Sequence, residues 1–295
     1  MKTKIALMGL LGLMAMQSCS ETLIDREEND GTVKLTLKVA SMDQVPFSKV
    51  VNCMTRGGSS PVGICTKINF AVYSYQDDVL TKKQENQDFG SDGFGSASFN
   101  LEEGTYKIVV IAHGGDGNPT MTDPAKISFN NKSGLRITDT FLYSADVDIT
   151  SDTHELELDL KRVVAMFQLK LDDENLPNGV SQLRFEYNGG SSTIDPVSGL
   201  GCVNSKQTET IECQPGVMEF GIYTFVRGDS NALKIKVSAL NSLGEVIKEQ
   251  EFQNVPVTCN YITRYTGKLF KNEILASLFN VTLNTEWAGT NDYAF

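Results

Sequence analysis

Hydrophobic residues along this chain fall mainly on every second position. In Val33–Val39 (VKLTLKV) apolar and polar side chains alternate without a break. Such alternation marks a strand with one buried face, because successive side chains leave a strand on opposite faces. Similar runs cover Ile68–Tyr75, Ala97–Leu101, Tyr106–His113, His154–Leu160, Val163–Leu171, Leu183–Tyr187, Val217–Phe225, Leu233–Leu240, Val246–Phe252, Tyr261–Phe270 and Val281–Trp287. Gly, Asn, Asp and Pro fill the gaps, as in Glu102–Gly104, Leu176–Gly179 and Ser242–Gly244, and supply the backbone angles that turns need. No segment keeps a helical apolar period over three turns, and Lys271–Asn280 is at most a short helix. The pattern predicts an all-β chain built as β-sandwiches.

A change of parity divides it. Leu156, Leu158 and Leu160 carry the apolar pattern on even numbers, whereas Val163, Ala165, Phe167, Leu169 and Leu171 carry it on odd ones. A one-residue slip turns every side chain to the opposite face, so Lys161-Arg162 is a bulge or a break. The stretch before it, Thr138–Thr153, is polar and turn-rich. Together these place a division near residues 150–155, with one sandwich over residues 31–153 and a second over 154–295. Each is long enough to bury its own core.

The N-terminus reads as an address. Lys2 and Lys4 precede an apolar run, Ile5–Met16, and then Gln17-Ser18-Cys19. A charged start, a short apolar stretch and a small residue define a secretory signal peptide over residues 1–18. The run is too short to span a bilayer, which takes about 20 residues. Ser18-Cys19 resembles the cleavage box of bacterial lipoproteins, with Met16 and Gln17 at its less conventional positions. That resemblance implies lipidation of the Cys19 thiol, and several acyl chains, palmitate among them, make a stable anchor. Residues 19–30, with Ser20–Asp30 (SETLIDREEND) polar and acidic, form a tether and resemble a surface-export signal.

Composition then narrows the function. The formal net charge is -11, from 26 Lys+Arg against 37 Asp+Glu, and loss of Lys2 and Lys4 with the signal peptide takes it to -13. So acidic a surface argues against nucleic acid as a partner and against charge-driven docking on anionic lipid. The chain has 295 residues but only 2 His, which leaves little material for a His-based metal cage. Beyond Cys19, the cysteines are Cys53, Cys65, Cys202, Cys213 and Cys259, with no CxxC pair, and neither metal nor cofactor is expected. An exported protein can keep disulfides, and Cys53/Cys65 and Cys202/Cys213 are close enough in sequence to close short loops.

Candidate catalytic features are few. His113 stands at a strand end before Gly114–Pro119, without a G-x-S-x-G elbow or an H-E-x-x-H helix, and reads as a turn histidine. Gly90–Gly95 lacks phosphate-loop spacing and reads as a hairpin loop. Asp172–Asn175 and Asp77-Asp78 offer oxygen ligands, yet lack the full calcium-loop pattern and read as solvated turns. Tyr73/Tyr75 and Tyr261/Tyr265 share strand faces and read as packing aromatics.

The ordered layout resembles a known family. Cys19, the first strand TVKLTLKV, GTYKIVVIAHG (Gly104–Gly114), TDTFLYS (Thr138–Ser144), LKRVVAMFQLKL (Leu160–Leu171) and VPVTCNYITRYTGKLF (Val255–Phe270) look together like the Bacteroidales fimbrial subunits, the type V pilus fimbrillins and their anchor lipoproteins. The resemblance implies two tandem transthyretin-like sandwiches, outer-membrane export and no catalysis, with other fimbrial subunits as partners. In a stalk subunit of that family, Val33–Val39 would be removed by a cut at Arg56 and Val281–Trp287 would be the donor strand. In an anchor, the first strand stays and Cys19 holds the base in the membrane. A surface lipoprotein that captures glycan or a host protein through its loops is the alternative reading.

Overall fold

A computed structural model describes residues 31–42, 65–76, 79–129, 135–228, 231–270, 280–284 and 292–293. Among them every helix or strand element is a strand, as the alternation predicts. Cys19, Cys53, Arg56, the acidic tether, Asp77-Asp78 and Lys271–Phe279 lie outside the described residues.

The first sandwich uses β1 (Thr32–Met42), β2 (Lys67–Gln76), β3 (Val79–Asp88), β4 (Ser96–Glu102), β5 (Gly104–His113), β8 (Thr140–Ile149) and β9 (Glu155–Arg162). They form one seven-stranded sheet in the order β3-β2-β5-β8-β9-β1-β4. It folds over on itself at a corner, where Phe141 and Leu142 of β8 pair with Arg162 and Lys161 of β9. The inward residues of the two halves interdigitate: Leu35 and Leu37 of β1, Phe99 of β4 and Leu160 of β9 meet Phe70 of β2 and Val110 of β5.

Between β5 and β8 the chain makes a small hairpin, β6 (Thr120–Asp123) with β7 (Lys126–Ser128). The second sandwich begins at β10 (Val164–Leu171). One of its sheets is β15 (Glu219–Phe225), β10, β18 (Ile262–Gly267), β19 (Asn280–Asn284) and β20 (Asp292–Tyr293). The other is β14 (Gln207–Glu212), β11 (Gln182–Asn188), β16 (Ala232–Leu240) and β17 (Val246–Pro256). Phe167, Phe185, Ile222, Val237 and Phe252 fill the space between them. A hairpin of β12 (Thr193–Asp195) and β13 (Leu200–Gly201) leaves this sandwich and pairs with β7.

That pairing makes a four-stranded sheet, β13-β12-β7-β6, shared by the two halves. Beneath it lies a third apolar cluster. Ala71, Tyr73, Val109 and Ile111, on the outer face of β2 and β5, pack with Met121, Ile127 and Phe129 and with Val164, Met166, Phe225 and Ile262 from the second half. Strand β5 is therefore covered on both faces, and its run Ile108–Ala112 is continuously apolar, as doubly buried strands are.

The junction refines the division drawn from the sequence. Thr138–Thr153, polar and turn-rich in sequence, is mostly the strand β8, with Thr140, Phe141 and Leu142 buried. Strand β9 belongs to the first core through Leu158 and Leu160, so that core extends past the division expected near residues 150–155. The parity slip at Lys161-Arg162 marks the passage between cores: Leu160 faces the first and Ala165 the second.

Candidate functional site

Strand β1 occupies the middle of its half-sheet. On one side it pairs antiparallel with β4, from Thr32↔Glu102 to Lys38↔Ser96. On the other it pairs parallel with β9, from Thr36↔Glu155 to Met42↔Leu160, with a register shift between Val39 and Ser41. Alternation points Val33, Leu35 and Leu37 inward, and Met42 joins them beyond the register shift. Lys34 and Lys38 face solvent. Leu35 and Leu37 are 0% exposed. At roughly 1.5–3 kcal/mol for each buried aliphatic side chain, these four hold β1 with on the order of 10 kcal/mol, before its ladder hydrogen bonds are considered.

The topology gives this strand an unusual attachment. Among the described residues, strand β4 ends the sheet and its only strand partner is β1. Within the described strands, removal of β1 would expose facing edges on β4 and β9 above a floor that includes Phe70, Ile108 and Val110. Beyond Met42 the chain reaches β2 through residues 43–66, the connection that carries Arg56. A single cut there would break the main-chain link between β1 and β2 with all later strands.

Cysteine placement departs from the sequence expectation at one pair. Cys202 and Cys213 are free thiols, not a disulfide. Each is tied to a different neighbour: the Cys202 backbone N–H donates to Thr193 O at 3.0 Å and that of Cys213 to Ser181 O at 2.8 Å. Cys213 also packs against the second core. Cys65 is buried in the first core, and burial pushes its thiol up to about 12.

His113 is fully buried at the end of β5. Its Nδ1 accepts from the Gly115 N–H at 3.0 Å, and its ring stands edge-on to Phe129. Burial, helped by the charge of Lys67, lowers its pKa to about 4, so it is neutral at pH 7. Asp173 is a cap: its carboxylate accepts from the backbone N–H groups of Leu269 and Phe270. Tyr73 is buried with its hydroxyl donating to Met121 O at 2.7 Å, while Tyr75, on the same face, is 65% exposed beyond the packed region. The Tyr265 ring lies 5.5 Å from that of Phe167.

Two polar constructions between the halves escaped the sequence reading. The first is a buried ion pair at the junction. Arg162 donates through Nε and Nη2 to the two carboxylate oxygens of Asp139, at 2.7 and 2.9 Å, and through Nη1 to Asn260 Oδ1 at 3.1 Å. Its guanidinium lies over the Phe141 ring. Arg162 ends the first sandwich and Asn260 precedes β18, so this cation ties the two together.

The second is a cleft of about 300 Å³ beside the shared sheet. One wall is Phe129, Leu135, Arg136 and Ile137; the other includes Tyr187, Lys206, Gln207 and Glu209. The Tyr187 hydroxyl donates to Tyr223 O at 2.9 Å and lies 3.3 Å from both Glu209 Oε1 and Gln207 Oε1. Burial pushes the Glu209 carboxyl up to about 7, against the opposing pull of Arg136 and Tyr187.

No curated protein matches the sequence. Among solved structures the chain is similar to a DUF1812 protein of Bacteroides thetaiotaomicron, at 12% identity and a TM-score of 0.48, over 89% of this chain and 98% of that one. It is similar to a fimbrial assembly protein of Parabacteroides distasonis, at 14% identity and a TM-score of 0.37, over 86% and 94%. A third similarity is to the tip fimbrial protein Mfa3 of Porphyromonas gingivalis, at 9% identity and a TM-score of 0.39, over 89% and 100%. The model of a family of unknown function, DUF6562, matches residues 26–294, and the chain belongs to that family.

Proposed function

We propose that this protein is a lipid-anchored subunit of an outer-membrane fimbrium, joined to its neighbours by strand addition and serving adhesion rather than catalysis. The observation that carries the reading is the position of β1: a central, core-filling strand attached to β2 through a connection that contains Arg56. Strand addition takes affinity from main-chain hydrogen bonds and specificity from alternate side chains seated in pockets. The slot between β4 and β9 offers both once β1 has left. The Ser18-Cys19 box and the acidic tether support lipidation and surface display.

N-terminal sequencing of the protein from cells tests this directly. An acylated Cys19 supports an anchor role, and a free terminus near Gly57 supports a processed stalk subunit. If the protein, cut at Arg56 or intact, never forms SDS-resistant ladders and never copurifies with fimbriae, the pilus reading fails. Separately, Cys19→Ala should release the protein from the membrane fraction, and unchanged retention would refute the anchor.

A further inference from the structure

Strand β3 is a long, regular edge. Among the described strands it ends the seven-stranded sheet, and it pairs with β2 from Lys67↔Asp88 to Gln76↔Val79 without a register shift. Its other side is a row of main-chain donors and acceptors. Folded proteins usually blunt such a row with bulges, proline or covering side chains. The other long edge, β17, is blunted in this way, by register shifts against β16, a positive φ at Asn254 and Pro256 at its end. On the β4 edge, the Asn100 and Ser96 carbonyls are covered, accepting from Lys83 Nζ and Gln87 Nε2. Strand β3 has no proline and no bulge. What it has is an ordered set of charges, with Lys82-Lys83 before Gln84 and Glu85 after it.

We infer that β3 pairs with β3 of a second copy, antiparallel about a two-fold axis at Gln84. Opposed residues in an antiparallel pair turn the same side of the backbone to each other, so a two-fold pair is centred on a residue and never between two. Centring on Lys82 or Lys83 sets Lys against Lys, and centring on Glu85 sets Glu against Glu, both unfavourable. Centres nearer either end pair fewer residues. Centring on Gln84 sets Lys83 opposite Glu85 twice and Lys82 opposite Asn86 twice, and no like charges meet. The Asn100 contact leaves Lys83 further ammonium donors for Glu85 of the second copy. Asp88, which falls opposite Leu80, is already paired with Lys67 of its own chain. The same register brings Val79, 62% exposed, opposite Phe89, 56% exposed, at each end of the pair. Main-chain hydrogen bonds would supply the affinity, and the charges and apolar ends the register. The pairing goes beyond fimbrial assembly, because β3 forms no wall of the β1 slot.

Analytical ultracentrifugation of the full mature chain, from about 1 µM to about 1 mM, covers the range of weak to moderate association. The parent should form dimers and nothing larger, because a two-fold contact closes on itself. Lys83→Glu sets Glu against Glu85 twice and should weaken dimerisation by about 10- to 100-fold, and adding Glu85→Lys should restore it. Thermal unfolding checks that each variant is folded. The axis has a separate test, since opposed Cα atoms lie within disulfide reach. Gln84→Cys should give a disulfide-linked dimer on mild oxidation. Lys82→Cys and Asn86→Cys should each fail to do so alone and succeed when mixed. The inference is overturned if the parent stays monomeric throughout, which would leave the edge to a strand of another protein. It is also overturned if Lys83→Glu dimerises as the parent does, if the double variant stays as weak as the single one, or if Gln84→Cys crosslinks no better than the parent chain. N-terminal processing and ladder formation enter none of these readouts, so the fimbrial reading is tested separately.

Discussion

A core-filling yet replaceable β1 puts a quantitative demand on Leu37. This side chain is 0% exposed and packed in the first core, whereas Lys38 beside it faces solvent. Truncating a buried Leu to Ala typically costs 2–5 kcal/mol, through lost transfer energy and the cavity left behind. Leu37→Ala should therefore lower unfolding stability by about 3 kcal/mol in the uncut chain. If residues 43–66 carry a specific protease site at Arg56, the same change acts on dissociation of the β1 fragment instead. At about 1.4 kcal/mol per tenfold, it should weaken retention by roughly 100-fold. The assay is size exclusion followed by mass spectrometry on cut protein, with fragment loss timed after dilution. Cut parent protein should keep β1 until a competing strand is supplied, cut Leu37→Ala should shed it, and Lys38→Ala should match the parent. Equal retention in Leu37→Ala and Lys38→Ala would refute β1 as a core-filling, replaceable strand.

The ion pair and the two buried titrating groups give further tests. Asp139→Ala leaves Arg162 buried without its carboxylate and should cost about 3–5 kcal/mol in urea unfolding; a loss below about 1 kcal/mol would contradict the bidentate geometry. His113 is held neutral, its pKa lowered from 6.5 to about 4, so its contribution is present above pH 6.5 and is lost as pH falls toward 4. Glu209 is held protonated, its pKa raised from 4.5 to about 7, so its contribution is present below pH 4.5 and is lost as pH rises toward 7. Each slope approaches about 1.4 kcal/mol per pH unit, with opposite sign, so they offset one another between about pH 4.5 and 6.5. Unfolding in that window should show stability rising with pH in Glu209→Gln and falling with pH in His113→Leu. Parallel profiles in the two variants would contradict the assigned burial.

The sequence alone determined the class of fold and the inward faces of most strands. Alternation is a local property: Val33, Leu35 and Leu37 share a face of β1 because any extended chain puts them there. The parity slip at Lys161-Arg162 was legible for the same reason. What alternation cannot carry is the identity of a strand's neighbour. That β1 lies between β4 and β9, with β9 closing the first core rather than opening the second, depends on pairings across more than a hundred residues. Strand β3 (VLTKKQENQD) shows no clear alternation because it is an edge strand and mostly uncovered, and much of β8 is too polar to stand out for a similar reason. In β5 the period disappears in the opposite way, because cores press on both its faces. The Asp139–Arg162 pair and the cleft joining Arg136 to Glu209 were invisible as units. Their residues are ordinary surface types in sequence, and only tertiary packing takes Asp139, Arg162 and Glu209 out of water, where neighbouring charges act on them strongly.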